Sequence, residues 1–148
     1  MTTQTTLTAD ATREIRTLHD FFEAWFRGEP AREAFGRPVE TLAPSFRMVR
    51  PDGTELGRKA VVDGIRAGYA SETGDPPFEI VIRDPRVRWA SDDRCQVRYE
   101  EWQRSAGEWR GRRSTASFAR DESAPAGVVW VDLHETWIED GEPPRGEE

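Results

Sequence analysis

Lysine is almost missing from this 148-residue sequence: Lys59 is the only one, and arginine supplies the rest of the positive charge. Cysteine is down to Cys95, which rules out an internal disulfide. Its place inside a strand-like run marks it as a small buried apolar residue rather than a nucleophile. No segment reaches the roughly 18 apolar residues of a membrane span. The Thr-rich stretch Met1 to Ala9 has neither the basic start nor the apolar centre of a signal peptide. A reducing cytoplasm is the expected setting. Positive charge is in short supply as well. With 28 acidic against 21 basic residues the net charge is -7, so a surface for the phosphate backbone is not expected, and nucleic acid is set aside as a partner. The two histidines and the scattered carboxylates show no metal-ligand spacing. A Gly-rich phosphate loop and a serine-nucleophile motif are also missing, so neither metal nor cofactor is expected.

What the chain does have is aromatic surface. Charged residues make up 33% and hydrophobic ones 36%, a balance close to that of disordered chains, but six Trp, seven Phe and two Tyr fall mostly within periodic segments. The length fits one core. Ile15, Leu18, Phe22, Trp25 and Phe26 recur at spacings of three and four and predict a helix over Ala11 to Arg27, capped by Thr8 or Asp10 and stopped at Gly28. A short second helix is expected from Pro30, ending near Gly36 to Pro38 or running on to Leu42. A third is expected over Arg58 to Tyr69, where Val61, Val62, Ile65 and Tyr69 share a face. Past Pro77 the period becomes two, which predicts strands over Phe78 to Ala90 with a bend at Asp84 and Pro85, Cys95 to Arg104, Trp109 to Arg120 and Val128 to Ile138.

Two segments carry a resemblance. Phe46 to Gly57 (FRMVRPDGTELG) resembles the strand, Pro-Asp-Gly turn and helix start of the nuclear-transport-factor-2-like, or SnoaL-like, superfamily, and Trp130 to Trp137 (WVDLHETW) resembles its closing strand. The order of elements fits the same superfamily, to which the ketosteroid isomerases belong. The resemblance implies an α+β, cystatin-like cone: three N-terminal helices packed on a strongly curved antiparallel sheet. One domain over residues 9–138 is expected, with flexible tails at 1–8 and 139–148. Isomerases, dehydratases, epoxide hydrolases, cyclases and non-catalytic association domains share this scaffold, so the fold alone selects no activity. The paired aspartates and helix tyrosine of the ketosteroid isomerases have no counterparts at matching positions, and neither His19 nor His134 stands in a context like that of the scytalone dehydratases.

A cone of this kind leaves a cleft for a small apolar or amphipathic molecule, and strand alternation selects the polar groups that face it. On the strand over Cys95 to Arg104 the apolar set Cys95, Val97, Tyr99, Glu101 and Gln103 is assigned inward. On the closing strand the inward set is Val129, Val131, Leu133, Glu135 and Trp137, leaving Trp130, Asp132 and His134 outside. Glu101 and Glu135, with Tyr99 as hydrogen-bond donor, are the candidate acid or base groups. Trp25, Phe22, Arg113, Leu133 and Trp137 are the candidate ligand contacts. Ion pairs with Arg98, Arg112 or Arg113 are the bland alternative for both glutamates, and His19 reads as a boundary residue of the first helix. Aromatic residues on both sheet faces imply a covered outer face, hence a homodimer through it. Two functions stay open: a small-molecule enzyme (isomerase, dehydratase or cyclase) using a pocket carboxylate, or a non-catalytic association or ligand-sensing module.

Overall fold

The computed structural model describes residues 3–144, with side chains from residue 5 onward. Helix α1 (Thr3–Arg27) buries Leu7, Ala11, Ile15 and Leu18 in a single stripe. It starts well before the expected Ala11, which corrects the reading of residues 1–8 as a flexible tail; residues 1 and 2 lie outside the described part. Leu7 is the cause. Four residues ahead of Ala11, it adds one more turn to the apolar stripe, and its complete burial is worth about 2 kcal/mol. Gly28 ends the helix in the left-handed region at φ 76°, and a Cβ there would stand 2.7 Å from that of Ala70.

The second helical segment is split. A 3-10 turn (Arg32–Ala34) is followed by the five-residue α2 (Arg37–Thr41), whose first turn holds Pro38. Strand β1 (Leu42–Val49) reverses through the Asp52 and Gly53 turn into β2 (Glu55–Gly57), and α3 (Arg58–Ala67) follows directly. The long strands are β3 (Glu79–Ala90), β4 (Arg94–Ser105), β5 (Glu108–Arg120) and β6 (Val128–Trp137). They join one six-stranded sheet in the order β2-β1-β6-β5-β4-β3. It is not wholly antiparallel as expected. The meander β3 to β6 brings its last strand alongside β1, which the chain laid down before α3, and the two run parallel. Helix α1 packs across β3, β4 and β6 on the inner face, and α3 lies against β1 and β2. No described helix is long and apolar enough to cross a membrane.

Bulges bend the sheet and decide which side chains face in. In β3 the register shifts between Arg83 and Arg86, with Asp84 at φ 54°, at the expected bend. Another shift, between Ser117 and Phe118 opposite β6, leaves Val131 unpaired and reverses the alternation beyond it. Trp130, assigned outward from the sequence, therefore points into the core and is 1% exposed, while Leu133 and Glu135 keep their inward assignment. The outer-face Trp102 is covered by its own chain rather than awaiting a partner. Its ring lies over Gly111, where a Cβ would come within 2.6 Å of it, and against Gly141. The segment after β6 is thus docked up to Pro144, with Arg83 Nη2 donating to the Glu142 carbonyl at 2.7 Å, which corrects the frayed tail expected from Glu139 onward. Residues 145–148 lie outside the described part.

Candidate functional site

Between α1, α3 and the inner sheet face lies a cavity of about 360 Å³. Its walls are apolar: Leu18, Phe22 and Phe26 from α1, Leu42 and Phe46 from β1, Val61 and Ile65 from α3. Among the lining residues Arg50, Ala60 and Gly64 are exposed and mark the mouth. Polar atoms gather at the opposite end, where His19, Glu101 and Glu135 are almost fully buried and Gln103 and Arg112 stand beside them.

The protonation of His19 follows from its neighbours. Its Nδ1 lies 2.7 Å from the Ile15 carbonyl, which can only accept, so Nδ1 carries a hydrogen. Its Nε2 lies 3.0 Å from Glu101 Oε1. A neutral ring would present a lone pair to a carboxylate there, so the contact requires a proton between them and is best described as imidazolium against carboxylate. Burial opposes the charge on His19, and the Glu101 carboxylate outweighs it and raises the histidine pKa above 6.5. Burial likewise works against the ionised form of Glu101, while His19, Arg112 and the amide of Gln103, 2.6 Å from Oε2, hold its pKa below the usual range.

Glu135 is driven the other way. It is also buried, and the negative charge of Glu101 adds to that penalty. Arg112 Nη1, donating at 3.1 Å, compensates only in part, and its pKa is pushed up to about 7. Arg112 is itself held by the face of Trp137, whose ring centroid is 4.9 Å away. One cavity floor therefore carries two carboxylates in different protonation regimes, the pattern that separates a fixed charge from an exchangeable proton.

Of the residues singled out from the sequence, Glu101, Glu135, Phe22 and Leu133 line the cavity. Tyr99 is on the same face, buried beside His19 with ring centroids 5.8 Å apart, and does not line it. Trp25 is elsewhere: it packs with Phe35 and Tyr69 and donates to the Ile65 carbonyl at 2.8 Å, anchoring α3 to α1. Arg113 points out of the other sheet face toward Glu100, since alternation places its neighbour Arg112 inward. Trp137 keeps the inner face but touches the site only through Arg112, which stacks on its ring and lines the cavity; the exposed Arg110 stacks on the same ring. Sequence reasoning missed His19 as a site residue. It also missed Glu14, fully buried between Arg37 and the Trp130 indole. The signal is in the spacing: Glu14 is three after Ala11 and His19 four after Ile15, both on the apolar stripe. Among the described residues no group of three or more His, Cys, Asp or Glu is placed to hold a metal ion. Cys95 is buried and its thiol is pushed up to about 11, away from nucleophilic use.

Residues 11–139 match the family described as sucrose-6-phosphate phosphohydrolase C-terminal. No protein of curated function matches the chain. Among solved structures, an NTF-2-like protein of unknown function from Pseudomonas aeruginosa is similar with 25% identity and a TM-score of 0.78, over 88% of this chain and 99% of that one. A protein with a cystatin-like fold from Caulobacter vibrioides shares 18% identity and a TM-score of 0.60, covering 87% and 90%. The CaMKII hub homology domain of Chlamydomonas reinhardtii shares 15% identity and a TM-score of 0.62, covering 87% and 99%. The resemblance to the nuclear-transport-factor-2-like superfamily is thereby shown, and with it the cystatin-like sheet and helices.

The floor sets the pH dependence of stability. Glu135 has a raised pKa in the fold, so its contribution is present at low pH and is lost as pH rises from about 4.5 through about 7. His19, also raised, stabilises below 6.5 and loses that contribution above its folded pKa; Glu101, lowered, contributes above 4.5 and loses it in acid. Urea unfolding across this range is expected to show greatest stability at mildly acidic pH. The decline toward alkaline pH should be on the order of 2 to 3 kcal/mol and should shrink in Glu135→Gln. A wild-type profile that climbs steadily from pH 5 to pH 8 would refute the assignment.

Proposed function

We propose that this chain, which belongs to the sucrose-6-phosphate phosphohydrolase C-terminal family, is a cytoplasmic small-molecule-binding domain in which Glu135 exchanges a proton with the bound molecule. The observation that carries the proposal is the pairing, at the end of an apolar cavity, of a carboxyl group pushed up to about 7 with a neighbouring carboxylate fixed by His19. A group titrating near neutrality serves as acid and as base at the same pH. Apolar walls of this volume suit a small apolar or amphipathic molecule with one polar group, and isomerase, dehydratase and cyclase reactions all need such a proton transfer. Glu101, salt-bridged to His19, bonded by Gln103 and close to Arg112, is a positioning charge in this reading. The phosphohydrolase activity in the family's description is not carried over, because the polar end presents carboxylates and few free donors to a phosphate.

A second reading has its own support, the likeness to a CaMKII hub homology domain. In that reading the chain associates with copies of itself through the outer sheet face. There Arg98, Arg113, Thr115, Asp132 and His134 surround a polar groove, and burial raises the Asp132 pKa. The groove is polar, so any such contact rests on charge pairs and hydrogen bonds rather than on the aromatic surface expected from the sequence.

Carbon-13 NMR titration of the glutamate side chains tests the first reading. Glu135 is expected to titrate near 7 and to shift when a molecule retained from expression is removed; a midpoint near 4.5 for every glutamate sinks it. Sedimentation tests the second. A mass that is a multiple of 16.9 kDa at micromolar concentration, lowered by Arg98→Glu, is expected, and a monomer at all concentrations would remove it.

A further inference from the structure

Five of the residues lining the cavity are ionisable, and their charges do not balance. His19, Arg112 and Arg50 are cations. Glu101 is a fixed anion, and Glu135, pushed up to about 7, is an anion only part of the time near neutrality. The lining therefore holds a surplus of positive charge in a chain whose net charge is -7. At the floor each cation has its acid: His19 stands against Glu101 at 3.0 Å, and Arg112 against Glu135 at 3.1 Å. The surplus is on Arg50, at the mouth.

Arg50 is held in place and left without a partner. Phe46, Met48 and Arg50, alternate residues that all line the cavity, lead along β1 to the mouth. The turn that follows fixes the backbone, with the Arg50 N–H donating to the Thr54 carbonyl and the Gly53 N–H to the Arg50 carbonyl, both at 2.8 Å. The guanidinium itself forms no ion pair or hydrogen bond with another described residue, whereas Arg47, three residues earlier, is paired with Glu55 at 3.1 Å. Asp52 takes a hydrogen bond from the Thr54 N–H at 2.9 Å, and that bond, ahead of the Arg50 charge, keeps its pKa low. Gly64, inside α3, shares the mouth. Its backbone is helical, and a Cβ there would meet nothing within 4 Å. Glycine inside a helix lowers stability, so neither conformation nor packing accounts for it. Its missing side chain leaves a way into the cavity open at the end where Arg50 stands.

We propose that the ligand is a carboxylic acid with a compact apolar body, which enters past Gly64 and lies among the apolar walls while its carboxylate stays at the mouth on Arg50. The planar guanidinium matches a carboxylate through two parallel hydrogen bonds. A phosphate dianion would call for further donors, and the other lining residues at the mouth, Ala60 and Gly64, offer no side-chain donor. A volume of about 360 Å³ is at the small end of ligand pockets and limits the body to a size such as a fused pair of rings. This assignment rests on the cavity being the ligand site and adds the ligand's charge and chemical class.

2-Naphthylacetate and 2-naphthylacetamide, alike in shape and different in charge, are the probes for the intact protein. Calorimetric titration at low salt should show the acid bound about fivefold more tightly, a preference that shrinks as salt is raised. Arg50→Gln should bring the acid down to the affinity of the amide, and Arg50→Lys should keep part of the preference. Gly64→Leu should weaken both probes severalfold while raising the urea midpoint of unfolding, which separates a blocked entrance from a damaged fold. Equal binding of acid and amide by the wild-type protein, or a preference that survives Arg50→Gln, would overturn the role of Arg50 and leave the cavity reading intact. Undiminished binding to Gly64→Leu would overturn the entrance. Failure of both probes to bind wild-type protein would overturn the cavity reading and the carboxylate assignment with it.

Discussion

A single buried contact organises this molecule: His19 Nε2 against Glu101 Oε1 at 3.0 Å, both side chains about 5% exposed. It joins the long helix α1 to β4, the strand beside the β3 edge of the sheet. Charges in such a place are costly unless each is answered, and here the answers are complete. The Ile15 carbonyl takes the second imidazolium proton, the Gln103 amide reaches the second carboxylate oxygen, and Phe22 and Tyr99 pack around the ring. Loss of either partner would leave an uncompensated buried charge, a change that typically costs about 3 to 5 kcal/mol.

The same contact gives Glu135 its character. Were Glu101 neutral, Arg112 would face one carboxylate and keep it ionised. Because Glu101 is held as an anion by His19, Arg112 is shared, and the cost of a second negative charge falls on the more weakly supported Glu135, which therefore keeps its proton to higher pH. Two glutamates one strand apart from a common arginine thus differ in proton affinity because a histidine from another element stands beside only one of them. The apolar walls preserve that difference by keeping bulk water from screening it.

Much of this arrangement is legible in the amino-acid sequence alone. The stripe of α1, the change of period near Phe78, the bend at Asp84 and the inward placement of Tyr99, Glu101 and Glu135 all follow from residue spacing. The features that spacing misses have identifiable causes. Trp130 changes faces because a bulge adds one residue that no periodic pattern announces, and Leu7 escapes notice because the Thr-rich residues around it hide one more turn of stripe. Arg112 rather than Arg113 reaches the floor, a choice that depends on one step of register. His19 and Glu14 are hard to recognise because polar residues on an apolar stripe look like its edges; only the partners supplied by β4, β6 and α2 make their burial possible.

The central claim is that His19 is an imidazolium inside the protein and that Glu101 keeps it so. Nitrogen-15 NMR of the imidazole reads this directly, since the two ring nitrogens take similar shifts only when both are protonated. The structure predicts that His19 carries both protons at pH 6.5, where an unperturbed histidine would be half neutral, and titrates above that value, and that Glu101→Gln restores the neutral ring. A His19 ring already neutral at pH 6.5 in the wild-type protein would contradict the account.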